Sequence, residues 1–124
     1  MNDKELLELA ANATGHKWKW TKCPKYEGME VPGMHHHDKA NGVDYYFGWN
    51  PLEDDRDAMR LAVDLQLDID FTTSYSKSNP GNYTLVNRQG GGNHVSPHND
   101  YADPYAATRR AIVRAAAEIG RKMP

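Results

Sequence analysis

The sequence predicts an α/β (α+β) fold, a compact sandwich in which three helices cover a small, mainly antiparallel sheet in the order helix, strand, helix, hairpin, helix. Apolar residues recur at helical spacing near residues 3–14, 58–65 and 104–120. They alternate at a period of two over residues 43–49, and again on both sides of a turn at 78–82. With 124 residues, 39% of them hydrophobic, the chain has material for one modest core, so a single domain over residues 1–124 is expected.

Each element has a local reason. Asn2 stands three residues before Glu5, the spacing of a capping box; Leu6, Leu9, Ala10 and Ala13 then mark one helical face until Gly15 stops it. From Gly15 to Gly42 no period holds, and Gly28, Pro32 and Gly33 punctuate the run, so a long surface loop with room for one irregular strand is expected. Val43, Tyr45, Phe47 and Trp49 alternate with Asp44, Tyr46 and Gly48, as in a strand with one buried face. Asn50-Pro51 ends that strand. Asp54, Asp55 and Asp57 then crowd the start of a helix, where carboxylates favour the free amides and the positive dipole end, and Ala58, Leu61, Ala62 and Leu65 form its apolar stripe.

Ile69, Phe71, Thr73 and Tyr75 alternate, as do Tyr83, Leu85 and Asn87, and Ser78-Asn79-Pro80-Gly81-Asn82 joins the two runs into a hairpin. Gly90 to Asp100, with three glycines, two histidines and Pro97, is expected as a loop. Asp103-Pro104 is an N-cap followed by proline at the first helical position. The small residues Ala107, Ala111, Ala115 and Ala116 would let this last helix lie close against the sheet, with Arg110, Arg114, Glu118 and Arg121 on one exposed face.

Several of these pieces carry a resemblance. They are the N-terminal run Asp3-Lys4-Glu5-Leu6-Leu7-Glu8-Leu9-Ala10, the Trp49-Asn50-Pro51-Leu52 break into Asp54-Asp55, the helix Asp57-Ala58-Met59-Arg60-Leu61-Ala62-Val63 and the closing segment from Asp103 to Gly120. Together they resemble small phage-encoded accessory proteins of the phage αβα-sandwich domain family and, more loosely, the NinX-like proteins. The closing segment is the most specific, while residues 35–41 and 79–99 have no counterpart. The resemblance implies a phage accessory gene and a fold, transfers no catalytic residue, and makes host takeover or counter-defence the expected class, in the cytoplasm of an infected bacterial host.

Charge and cysteine usage narrow the chemistry. Fifteen basic residues against 17 acidic ones leave a net charge of -2, without the positive field that holds duplex nucleic acid. A single cysteine, Cys23, permits neither an intramolecular disulfide nor a cysteine-based zinc site. The apolar stretches are only a few residues long and the first residues, Met1-Asn2-Asp3-Lys4-Glu5, do not read as a secretory leader, so no membrane partner is expected. Neither Cys23 nor the six histidines show a nucleophile-and-base spacing, and no nucleophile elbow is present, so a non-enzyme is expected. Cleavage of a phosphodiester is the remaining catalytic alternative.

Four constellations carry binding chemistry. His16-Lys17-Trp18-Lys19-Trp20-Thr21-Lys22 interleaves cations with indoles, which holds phosphate while stacking a base; the same alternation fits a strand with its tryptophans inward. His35-His36-His37-Asp38 supplies metal-ligand types that could join His94 or His98, but adjacent histidines diverge, so neither a metal site nor a cofactor is expected. Gln89-Gly90-Gly91-Gly92-Asn93-His94 can present successive amides to an anion, or serve as a plain loop. Arg109, Arg110 and Arg114 can grip phosphate in bidentate fashion, or line a solvated face on which Glu118 pairs with Arg121 or Lys122.

The expected ligand is therefore a nucleotide-like small molecule, sequestered rather than cleaved, with Lys17, Trp18, Lys19, Trp20, Tyr45, Tyr46, Gly91, Arg109 and Arg110 as candidate contacts. A direct inhibitor of a host defence or regulatory protein, docking through Glu53, Asp54, Asp55 and Asp57 or exposed aromatics, is the alternative. Three tryptophans and seven tyrosines exceed what so small a core buries, so a homodimer or higher homo-oligomer is also expected.

Overall fold

Asn2 opens helix α1 (Asp3–Ala13) with a reciprocal cap: its Oδ1 accepts from the Glu5 amide at 2.9 Å while its Nδ2 donates to the Glu5 carboxylate at 3.4 Å. These contacts belong to a computed structural model that describes residues 2–15, 19–20, 33–78, 80–88 and 91–123. Helix α2 (Asp55–Asp64) starts on Asp54, whose Oδ1 accepts from the Asp57 amide at 3.0 Å. Helix α3 (Pro104–Arg121) starts on Asp103, whose Oδ1 accepts from the Ala106 amide at 2.7 Å. In each case a short side-chain acceptor satisfies an amide that the helix leaves unpaired.

The strands form two antiparallel sheets of three rather than one sheet. Strands β1 (Lys19–Trp20), β2 (Gly33–Asp38) and β3 (Val43–Gly48) lie in the order β1-β2-β3. Strands β4 (Asp68–Ser74), β5 (Gly81–Asn87) and β6 (His94–Pro97) lie in the order β4-β5-β6. The expected loop from Gly15 to Gly42 thus contains β1 and β2, although residues 21–32 lie outside the described ones. The expected loop from Gly90 to Asp100 contains β6 and a 3₁₀ turn (His98–Asp100). The expected hairpin is present as β4 and β5, with Ile69 opposite Val86 and Phe71 opposite Thr84.

The α+β fold is built around α3, which packs against α1, α2 and the β4–β6 sheet. Leu7, Leu61, Val86 and Val113 are the largest of its fully buried apolar side chains, and Trp49, Leu52, Leu65 and Ile69 lean on the same cluster. The alanines of α3 were expected to admit a sheet, yet its tightest approach is to α1. A Cβ on Gly120 would fall 2.8 Å from the Leu9 carbonyl carbon and 3.1 Å from the Ala13 amide nitrogen, and Asn12 Nδ2 donates to the Gly120 carbonyl at 3.0 Å. Two backbones meet there with no side chain between them.

Helix α2 ends against its propensity. Gln66 takes a left-handed conformation (φ 54°), its amide donating to the Val63 carbonyl at 3.1 Å and that of Leu67 to Ala62 at 2.9 Å. That pairing closes the helix and turns Leu67 onto the core. A Cβ in this conformation costs about 1 kcal/mol that glycine does not. Gln66→Gly is therefore expected to raise stability by about 0.5–1 kcal/mol in urea denaturation; a loss of stability would show that the Gln66 side chain contributes more than its strain costs.

Candidate functional site

The connection from β5 to β6 leaves the sheet at Arg88 and returns through Gly91 and Gly92 to His94. Its turn is closed by the Gly91 amide, which donates to the Arg88 carbonyl at 2.8 Å, and Asn87 Nδ2 donates to Asn93 Oδ1 at 3.0 Å. Between this loop and the last turns of α3 lies a cleft of about 370 Å³. Arg88, Gly91, Gly92 and His94 line one wall, and Ala115, Glu118, Ile119, Lys122 and Met123 the other. A smaller cavity of about 230 Å³ adjoins it, sharing His94 and Glu118 and adding Leu6, Arg114, Ala117 and Arg121.

Four cations thus surround one carboxylate, on a chain whose net charge is -2. Glu118 receives two hydrogen bonds from Arg121 at 2.8 Å and an ion pair from Lys122 at 3.3 Å. The Arg121 bonds, with Lys122 behind them, hold its carboxyl below the ordinary carboxylate range. Arg114 donates to the Val95 carbonyl at 3.1 Å, and Arg88 makes no ion pair among the described residues. A helix C-terminus carries about half a negative charge, which disfavours an anion. The four side-chain cations outweigh it and leave the cleft suited to phosphate or carboxylate.

His94 sits where the two cavities meet. Burial pulls its pKa below the ordinary 6.5, the Arg114 and Lys122 charges push it the same way, and Glu118 opposes them. Its folded pKa therefore lies below its unfolded one, and its effect on stability is absent above about pH 6.5. As pH falls into the window below that value the unfolded chain takes the proton first, and stability drops. A bound anion reverses the balance by favouring imidazolium, so binding of sulfate, which does not itself titrate in this range, is expected to take up a proton below about pH 6.5. Calorimetry in buffers of different ionisation enthalpy reads this uptake directly. His94→Gln should abolish it, and uptake that persists in the variant would place the proton elsewhere.

The sequence-predicted contacts separate. Gly91 lines the cleft. Arg109, largely buried, donates from Nε to the Leu52 carbonyl at 2.9 Å and pairs with Asp55 at 2.6 Å, tying α3 to the start of α2. Arg110 pairs with Asp3 at 2.7 Å, tying α3 to α1. Lys17 and Trp18 lie outside the described residues. Lys19, Trp20, Tyr45 and Tyr46 have their backbones on the β1–β3 sheet, where register aligns Lys19 with His35 and His35 with Tyr46, and sets Trp20 beside Met34. The sequence singles out Arg114 as a member of the arginine set and His94 as the end of the glycine-rich run, and Arg88 not at all; the available signal for Arg88 is its place just before that run.

One further polar cluster, partly buried, joins β5, the 3₁₀ turn and α3. Thr108 Oγ1 donates to the Pro104 carbonyl at 2.8 Å and is 2.9 Å from Thr84 Oγ1, which is 2.7 Å from His98 Nε2. A carbonyl only accepts, so the protons run from His98 Nε2–H to Thr84, Thr108 and Pro104 in turn. That tautomer leaves His98 Nε2 unable to accept the Thr84 proton, and Thr84 is fully buried. The pair is arranged to fasten the 3₁₀ turn to α3. Ser96 Oγ, opposite Thr84 in register, is buried without a partner among the described residues.

The described residues hold no group of three or more histidine, cysteine or acidic side chains placed to share a metal ion. None of their helices is long and apolar enough to cross a membrane. Compared with protein-family models, curated proteins and solved structures, the chain matches none.

Proposed function

We propose that this is a phage accessory counter-defence protein that acts stoichiometrically, binding a nucleotide-derived immune signal and withholding it without cleaving it. The observation that carries the reading is the pair of adjoining cavities at the end of α3: Arg88 and Lys122 line a glycine-rimmed cleft of about 370 Å³, and Arg114 and Arg121 line the cavity of about 230 Å³ beside it. Cations at that density hold phosphoryl groups, and a concave space bounded by Ala115, Ile119 and Met123 accepts part of a nucleoside. The aromatic faces belong to the second half of the proposal: Trp18, Trp20, Tyr45 and Tyr46 would stack on bases. A second copy of the chain would enclose them, which a solution mass near twice 14.0 kDa would support.

The rival reading, an inhibitor that docks a host protein through its acidic run, is less well supported by the contacts. Asp54 caps α2, Asp57 Oδ2 accepts from the Asn50 amide at 3.0 Å and Asp55 pairs with Arg109. Those carboxylates are engaged in holding the fold. The test is to purify the protein from bacteria whose nucleotide-signalling defence is active, denature it and identify what is released. An intact nucleotide in near-stoichiometric amount is the expected result. An empty protein that retains a host polypeptide would replace this reading with the inhibitor, and a cut nucleotide formed with turnover would make it an enzyme.

A further inference from the structure

We propose that the outer edge of β4 pairs antiparallel with β4 of a second copy of the chain, about a two-fold axis at Phe71, and so joins two three-stranded sheets into one of six strands. The inference goes beyond the anion-binding reading of the cleft and does not rest on it, because the order β4-β5-β6 puts His94 and its cleft at the opposite side of the sheet.

The two edges of the β4–β6 sheet are built differently. On β6, Arg114 donates to the Val95 carbonyl at 3.1 Å, and Pro97 brings no amide. Both features blunt an edge against further pairing. Strand β4 has neither. It runs for seven residues, Asp68–Ser74, without proline or lysine, and among the described residues its main chain bonds only to β5. An antiparallel strand paired on one side keeps about half of its amides and carbonyls aimed away from that partner. Phe71 lies opposite Thr84, on the side of the sheet that α3 covers, yet it is 69% exposed, and Tyr75 just past the strand is 91% exposed. Within one chain these rings have little to pack on.

Charge and overlap choose the partner and the register. Centred on Asp68 or Asp70, a two-fold antiparallel pair sets a carboxylate against its own copy, and centred on Ile69 it sets Asp68 against Asp70. Like charges directly opposite are destabilising. Centred on Thr72 or later, the ladder shortens. Centred on Phe71, every residue of the strand is paired: Asp68 faces Ser74, Asp70 faces Thr72, Ile69 faces Thr73, and the two Phe71 rings meet at the axis. Tyr75 of each copy then falls opposite Leu67 of the other, a residue that leans on the core. Asp70 meets its copy only on the diagonal, about 7–8 Å away, where salt screens the pair. A second copy supplies this match by symmetry, since a two-fold interface needs only a self-complementary surface.

The test is sedimentation velocity of the full chain over a range of concentrations reaching the high micromolar. A species of mass near twice 14.0 kDa is expected. Phe71→Lys should raise its dissociation constant at least about tenfold by setting two ammonium groups at the axis. Met59→Lys, which replaces an α2 side chain that is 56% exposed, should leave it unchanged. Both positions are exposed, so the variants should fold, and thermal unfolding checks that they do. The register is read by oxidation in air after Cys23, the single cysteine, is replaced by serine. Phe71→Cys should then crosslink two chains, because the two residues 71 face each other, while Thr73→Cys should not, because the two residues 73 lie about 14 Å apart. A monomer throughout, a dimer that Phe71→Lys leaves unchanged or Met59→Lys weakens equally, or crosslinking at 73 rather than 71 would overturn the inference. None of these results decides whether the cleft binds an anion.

Discussion

Gly120→Ala is expected to remove at least about 3 kcal/mol of stability, or to prevent folding outright. The added methyl would have to occupy space already filled by the Leu9 carbonyl and the Ala13 amide, which are backbone groups of α1 with no rotamer to change. Relief requires α1 to move away from α3, uncovering Ala10, Ala116 and Leu7 and breaking the bond from Asn12 Nδ2 to the Gly120 carbonyl. Ordinary overpacking costs about 1–3 kcal/mol, and a clash between two helix backbones belongs at or above the top of that range. Alanine's better helix propensity, about 1 kcal/mol over glycine, works in the opposite direction and is too small to compensate. Urea denaturation measures the difference; a variant within about 1 kcal/mol of the parent would mean that the two helices are not in backbone contact.

Replacing Arg88 and Lys122 together with glutamine is expected to weaken cyclic di-AMP binding at least about 100-fold while changing stability by less than about 1 kcal/mol. Each charge-assisted contact contributes about 1.5–3 kcal/mol, and about 1.4 kcal/mol is a factor of ten, so two lost contacts amount to two decades or more. The fold has little stake in them. Arg88 is exposed, and the pair between Lys122 and Glu118 lies at a surface where ion pairs are worth about 0–1 kcal/mol. Raising the salt concentration should weaken the parent more than the double variant. Equal binding by the two proteins would remove the larger cavity from the site.

The helix starts were legible because their causes are local. Asn2, Asp54 and Asp103 each cap an amide three residues ahead, and such spacing is visible in one line of sequence. Strand β2 was missed because Met34-His35-His36-His37-Asp38 has no apolar alternation; its pairing with β3 is apparent only once Gly33 is seen opposite Gly48. Strand β6 was hidden by Pro97, which reads as a loop residue but is tolerated at the end of a strand that lies at the sheet's edge.

The candidate site was harder to read for a related reason. Arg109 and Arg110 looked like free phosphate forks, yet their partners Asp55 and Asp3 lie 54 and 107 residues away in the chain. The two cavities gather Arg88 from the end of β5 and His94 from the start of β6 with Arg114, Glu118 and Lys122 from α3, a juxtaposition set by how the β4–β6 sheet packs on that helix. The glycine run through Gly91, Gly92 and His94, and Arg114 on the last helix, were visible as anion-binding types in the sequence; that they meet at one place was not.

The most direct test of the central claim is a two-dimensional amide NMR titration of the full chain with cyclic di-AMP. The expected result is saturable shifts, concentrated at Gly91, Gly92, His94, Ala115, Glu118, Ile119 and Lys122, with an endpoint at one ligand per site. Saturable shifts that leave those amides unmoved, or an unchanged spectrum at millimolar ligand, would contradict it.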